Sequence, residues 1–318
     1  MNKVDIFDHR GINNYFIQPL LGSFKYKIKA GVEVVNYPQH MDMYNQFLKP
    51  MEDYETEPNL IDPKSAIIPE LVVIEDFAKK QYEETQEPIN IKLCITGPID
   101  LYVRKLGFTI YPDMAYNFSK SINSFLKNSI INNKYINTPL IAIDEPSFGY
   151  VDIVNVTDDD LIKIFDKSLN GIDTFNQIHL HTLNKAYVPL QTDNIQVLTC
   201  EYAADKTNKI PKKELDQYDK FIRVGISRTN VNSIMADKLD AGEITTDDLK
   251  TVEISFKLVD TKERIKKRLS EALKLYGDRL KYVGPDCGFS GWNLPEAAYE
   301  LLHRTHEVIE EVKNINEY

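Results

Sequence analysis

Residues 140–146 read Leu-Ile-Ala-Ile-Asp-Glu-Pro, and this stretch decides how the rest of the chain is read. Four apolar residues run straight into two carboxylates and a proline. That is the pattern of a strand buried on both faces whose end carries chemistry. The pattern repeats outward in both directions. Upstream, 91–97 ends in Thr96-Gly97, 32–37 in Asn36-Tyr37 and 19–23 in Gly22-Ser23. Downstream, 177–182 carries His179 and His181, 195–202 carries Glu201, 222–227 ends in Ser227, and 280–288 ends in Asp286-Cys287-Gly288. Eight strands are therefore expected.

Amphipathic helical stretches fall between them, at about 70–84, 115–133, 158–169, 261–276 and 295–314. The stretch 261–276 sets Ile265, Leu269, Leu273 and Tyr276 on one stripe and meets Gly277, a helix stop. The last helix starts at Asn293–Pro295 and is expected to bury Ala298, Leu301, Leu302 and Val308. Strands alternating with helices predict an α/β fold, a TIM (β/α)8 barrel in one domain over 1–318. Two segments read as insertions, 203–220 and about 236–259, and surface loops are the plainer reading of both. The span 24–31 is short for a helix between the first two strands.

A chain of 318 residues is long enough for one such barrel. Its net charge of -10 and pI near 5.2 argue against unaided binding of nucleic acid or an anionic membrane. The opening MNKVDIFDHRG is too polar for a signal peptide, and no run approaches a spanning helix, so the cytoplasm is the expected location. Cys94, Cys200 and Cys287 lie far apart, with no C-x-x-C pair.

In a TIM barrel the carboxyl ends of the strands ring the active site. Strand ends meet solvent, so one polar residue there means little; many together with metal-ligand chemistry mean more. His179 and His181 are two apart, and on a strand such residues point the same way. A lone histidine is more often a satisfied polar residue, but a pair at strand spacing points to a metal. Glu201 ends an apolar run, where an unpaired carboxylate is costly and a cation would stabilise it. Cys287 sits in Gly-Pro-Asp-Cys-Gly, whereas Cys200 faces opposite to Glu201 and reads as a small buried hydrophobe. Nitrogen, oxygen and sulfur donors together suit zinc better than magnesium or calcium. Such a site can bind a thiol as its thiolate.

The motifs GPDCG, IDEP, TGP and LGSF, in this order of Gly-Ser, Thr-Gly-Pro, Asp-Glu-Pro, His, Glu and Cys, resemble the catalytic C-terminal barrel of cobalamin-independent methionine synthase. The resemblance runs from about residue 20 to residue 310. It implies a zinc ion and transfer of a methyl group to the sulfur of homocysteine, forming methionine. Carried over by motif, Cys287 and Glu201 are zinc ligands, Asp144 holds the substrate's amino group, and Gly22 and Ser23 receive its carboxylate. The full-length family enzymes have a second, N-terminal half, so the chain resembles the short single-barrel forms. For these a corrinoid protein or a methylated pterin or folate is the expected donor.

The sequence departs from the family at three places. The family has a His-x-Cys pair. In one register His181 is that histidine and Leu183 stands in place of the cysteine, leaving three protein ligands. In the other His179 is the histidine and His181 replaces the cysteine, giving four; this register fits the i, i+2 spacing. His181 belongs to the site in both. Where the family often has an acidic residue for the substrate amine, this chain reads VNYPQHMDM, so Asn36, Tyr37 or Gln39 would line that edge, with Asp42 as a remaining carboxylate. After strand 222–227 the family places an acid histidine, and here Arg228 follows instead. Arginine is a poor proton donor but binds anions. A different thiol with an anionic group, or a non-catalytic homologue that binds metal or thiol, are the alternatives this leaves.

Overall fold

The computed structural model describes residues 14–37 and 41–316. The chain divides into two compact units. The first comprises Glu33–Leu198 and Tyr218–Lys220 together with the N-terminal residues as far as Lys25. The second comprises Tyr26–Val32, Thr199–Gln217 and the residues from Phe221 onward. The fold is α/β, and its seven parallel strands follow the order of the sequence.

The strands are β1 (Val35–Asn36), β2 (Ile89–Thr96), β3 (Ile136–Asp144), β4 (Phe175–His179), β5 (Val197–Cys200), β6 (Phe221–Ser227) and β7 (Leu280–Pro285). In the first unit β1 pairs with β2, β2 with β3, β3 with β4 and β4 with β5, all in parallel. The register sets Thr96 beside Asp144 and Asp144 beside His179, so three polar strand ends stand in one row. In the second unit β6 pairs with β7. A separate short hairpin joins Glu55–Glu57 to Leu60–Ile61.

The sequence reading is corrected at its first strand. Residues 19–23 lie inside the helix Asn14–Lys29. Leu20 and Phe24, four apart and both fully buried, show the helical period, and Phe24 meets Phe77 edge-on at 5.7 Å. A five-residue run holding Leu20 and Leu21 fits a strand and a buried helical turn equally well; packing against Val73 decides for the helix. Seven of the eight expected strands are present, and 32–37 is reduced to the two residues of β1.

The interior of the first unit follows from its apolar runs. Ile91, Leu93 and Ile95 on β2, and Ile141 and Ile143 on β3, are fully buried. Two helices pack with them. Pro112–Ser129 buries Ala115, Phe118, Ile122 and Phe125 at three- and four-residue spacing, and Asp158–Leu169 buries Leu161, Ile164 and Phe165. The second of these starts in a reciprocal cap, with Thr157 accepting from the Asp160 amide and Asp160 accepting in return.

In the second unit Lys262–Tyr276 is capped by Thr261 and stopped at Gly277, as its sequence predicts. Its stripe is shifted, however: Ala272 is buried and Leu273 is exposed. The final helix, Pro295–Asn316, buries Leu301, Leu302 and Val308, with Ala297 in the place expected for Ala298. The segment 203–220 carries the helix Lys212–Gln217, and 236–259 carries the end of Val231–Asp240 and the short helix Ile254–Lys257. No helix among the described residues is long and apolar enough to cross a membrane.

Candidate metal centre

In the first unit the candidate site begins at the end of β4. His179 and His181 stand with ring centroids 5.3 Å apart at 77°, edge to face, while Leu180 between them is fully buried. His181 lies two residues past the end of the strand, in a bend, so the expected i, i+2 strand pair is formed across the strand's end. Burial holds the His181 imidazole below its usual pKa, which favours the neutral form that a metal ligand requires. Leu183, the residue at the cysteine's place in the other register, is buried.

Asp144 ends β3 beside His179. Its carboxyl is pushed up to about 7 by burial, opposed by Lys92 and reinforced by Asp100. The next residue, Glu145, has a different task. It is fully buried and accepts from the amides of Ile99 at 2.9 Å and Asp100 at 2.8 Å, which open the helix Pro98–Leu106. Gly97 must be glycine here, because a Cβ at that position would run into the Glu145 carboxylate. Asp100 in turn accepts from the Ser147 amide and hydroxyl and from the Tyr44 hydroxyl.

The remaining first-unit residues singled out from the sequence are distributed as follows. Gly22 and Ser23 lie on the helix Asn14–Lys29, both half-buried. Asn36 lies on β1 opposite Lys92. Tyr37 is fully buried and its hydroxyl donates to the Cys94 carbonyl at 2.6 Å. Asp42 accepts from the amides of Tyr44 at 3.1 Å and Asn45 at 2.8 Å, fixing the start of the helix Asn45–Asp53. Gln39 lies outside the described residues.

In the second unit Glu201 follows β5 and Cys287 follows β7. The Glu201 carboxyl is pushed up to about 7 by burial; a hydrogen bond from the Cys287 thiol and the nearby Arg223 oppose that rise. Cys287 is exposed, and its amide donates to the Thr229 hydroxyl at 3.1 Å. Cys200 is fully buried, and its thiol is pushed up to about 12 by burial and by Asp286, as suits an inert core residue. Asp286 is buried, accepts from the Ala203 amide at 3.1 Å, and is pushed up to about 7 by burial and by the like charge of Glu201. Arg228 is already engaged: its guanidinium pairs with Asp237 at 2.7 Å and donates to the Ser233 hydroxyl at 2.8 Å.

Three residues near these groups escaped the sequence reading. Arg223 carried a legible signal, a charged residue inside the apolar strand 222–227. Asp100 sits in the first turn of a helix, where an acidic residue is ordinary. Tyr44 carried none.

No protein-family model matches the chain. A methionine synthase of Sulfurisphaera tokodaii is 23% identical over 273 residues, covering 82% of this chain and 68% of that protein. A methionine synthase of Sulfolobus acidocaldarius is 22% identical over 204 residues, covering 63% of this chain and 50% of that protein. The chain thus spans half the length of the second relative. Among solved structures, a B12-independent methionine synthase from Shewanella sp. W3-18-1, in complex with selenomethionine, superimposes with a TM-score of 0.57 at 15% identity. That match covers 94% of this chain and 89% of the other, and it carries the fold. The relatives support a methyltransferase enzyme. Their names and that of the structural neighbour are consistent with the cobalamin-independent methionine synthase family, which the motifs resemble.

Proposed function

We propose that this chain is a zinc-dependent methyltransferase that moves a methyl group to the thiol of homocysteine, forming methionine, with His179, His181, Glu201 and Cys287 as the metal ligands. The observation that carries the reading is the donor set. Within the first unit the His179 and His181 rings stand 5.3 Å apart, and within the second the Cys287 thiol donates to the Glu201 carboxylate. Two imidazoles, one carboxylate and one thiolate together suit zinc better than magnesium or calcium, which favour all-oxygen sets. The cost of the buried Glu201 charge supports the same view, since a cation there would favour its ionised form.

Zinc bound by these residues would supply the charge that holds a substrate thiol as its thiolate at neutral pH. The chain's own residues do the rest. Asp144 accepts from the substrate ammonium, and the Ser23 hydroxyl is the group for its carboxylate; the amide of Gly22, inside the helix Asn14–Lys29, is committed to the helix. Asn36 would line the amine edge, with Asp42 as a remaining carboxylate, whereas the Tyr37 hydroxyl is committed to the Cys94 carbonyl. Arg228, tied to Asp237 and Ser233, orders the loop after β6 and does not serve as proton donor. Holding the thiol sulfur and the donor methyl in line supplies much of the rate. We take the donor to be a methylcorrinoid or a methylated pterin or folate, the strands to belong to a TIM-type barrel, and the site of action to be the cytoplasm.

Metal analysis of the purified chain, joined to a methionine-formation assay over each donor class, tests this. About one zinc per chain and turnover with at least one donor are expected. A chain that takes up no zinc, or that binds homocysteine tightly yet turns over with no donor, overturns the proposal.

A further inference from the structure

We propose that Arg223 is the positioning residue that presents Cys287 to the metal, acting through the backbone of the Gly-Pro-Asp-Cys turn; this rests on Cys287 and Glu201 being ligands. Arg223 lies on β6, on the face opposite to Ile222, Val224 and Ile226, which are fully buried. Its guanidinium donates to two successive carbonyls at the end of β7, that of Pro285 and, at 3.3 Å, that of Asp286. A planar fork with fixed donors is suited to gripping a turn in this way, as a lysine is not. The gripped carbonyls belong to the two residues immediately before Cys287.

The same turn is held from a second side. The β6–β7 register shifts between Gly225 and Ser227, so the chain leaves the regular ladder where the turn begins. The Asp286 carboxylate folds back against Gly225, into space that a Cβ at that position would fill. There its Oδ1 accepts from the Ala203 amide at 3.1 Å, two residues beyond Glu201. Asp286 therefore ties the loop bearing Glu201 to the loop bearing Cys287, and Arg223 ties β6 to the latter. Arg223 also places a positive charge near Asp286, Cys287 and Glu201. Such outer contacts orient ligands and tune the metal they hold.

The test is cobalt(II) binding to the full chain, read by the thiolate-to-cobalt absorption band and by competition with zinc. Arg223→Met should fold, by circular dichroism, and weaken cobalt and zinc binding about 10–100-fold with a diminished thiolate band. Arg223→Lys keeps the charge and one donor and should fall between the two; if Arg223→Met does not fold, Arg223→Lys decides. A folded variant that binds cobalt like the wild type, with an unchanged band, overturns the inference alone. A wild type that shows no thiolate band overturns the ligand assignment and this inference with it.

Discussion

The histidine pair and the glutamate–cysteine pair are positioned by unlike means. His179 ends β4 and His181 follows two residues on, past the strand, with the fully buried Leu180 anchoring the segment between them. Glu201 and Cys287 follow strands whose regular pairing has ended, so their placement depends on side chains that grip backbone, chiefly Asp286 and Arg223. Under the proposed assignment the first pair would contribute neutral donors and the second charged ones. Strand periodicity is enough to aim a ligand; a charged ligand on a turn needs neighbours that hold its backbone and moderate its charge.

The largest effect is expected from the charged pair. Cys287→Ala should remove bound zinc and lower methyl transfer by about 1,000-fold or more, since it deletes a charged ligand. Metal content and turnover measured together check this, and full retention of both would break the site assignment. Next comes the neutral pair. His181→Ala should weaken zinc binding by about 100-fold in either register, whereas His179→Ala does so only if four protein ligands are used. Zinc affinities of the two variants side by side resolve the register.

A smaller effect separates backbone support in the two regions. Gly97→Ala and Gly225→Ala each force a side chain against a buried carboxylate, at a cost of about 1–3 kcal/mol that urea unfolding would measure. Gly225→Ala should also weaken zinc binding, because Asp286 is displaced. Gly97→Ala should leave zinc affinity unchanged, because Glu145 holds a helix start instead.

The smallest effect is the pH dependence of the metal-free chain. Asp144 in one region and Glu201 and Asp286 in the other are all pushed up to about 7 by burial. The folded chain therefore binds more protons than the unfolded chain between the ordinary carboxylate range and about 7. Stability from these groups is full below that window and is lost as pH rises through about 7. Thermal unfolding should fall by several degrees over this window. Excess zinc should oppose that fall, because zinc takes the deprotonated ligands. A metal-free chain more stable at pH about 8 than at about 5 would contradict these shifts.

Much of this was legible in the residues. β2 to β7 all fall where apolar runs end in reactive groups, and the His-x-His spacing predicted two rings on one side of a strand. The failure at 19–23 has a definite cause: Leu20-Leu21 before Gly22-Ser23 has too few residues for a period of 2 and one of 3.6 to differ. The stripe at 261–276 failed more mildly, with Ala272 buried in place of Leu273, because a small residue fits where the helix lies close to its neighbours.

By itself, then, the sequence determined which chemistry is available: two imidazoles, a carboxylate and a thiol at strand ends, in an order shared with methionine synthases. Composition, spacing and motif order are local properties, and these residues carry them on their face. Only the tertiary structure decided that Asp42 starts a helix, that Tyr37 turns inward to Cys94, that Arg228 is committed to Asp237, and that Arg223 holds the turn before Cys287. Each of these depends on a partner elsewhere in the fold, and hydrogen-bond partners that distant in sequence leave no periodic trace.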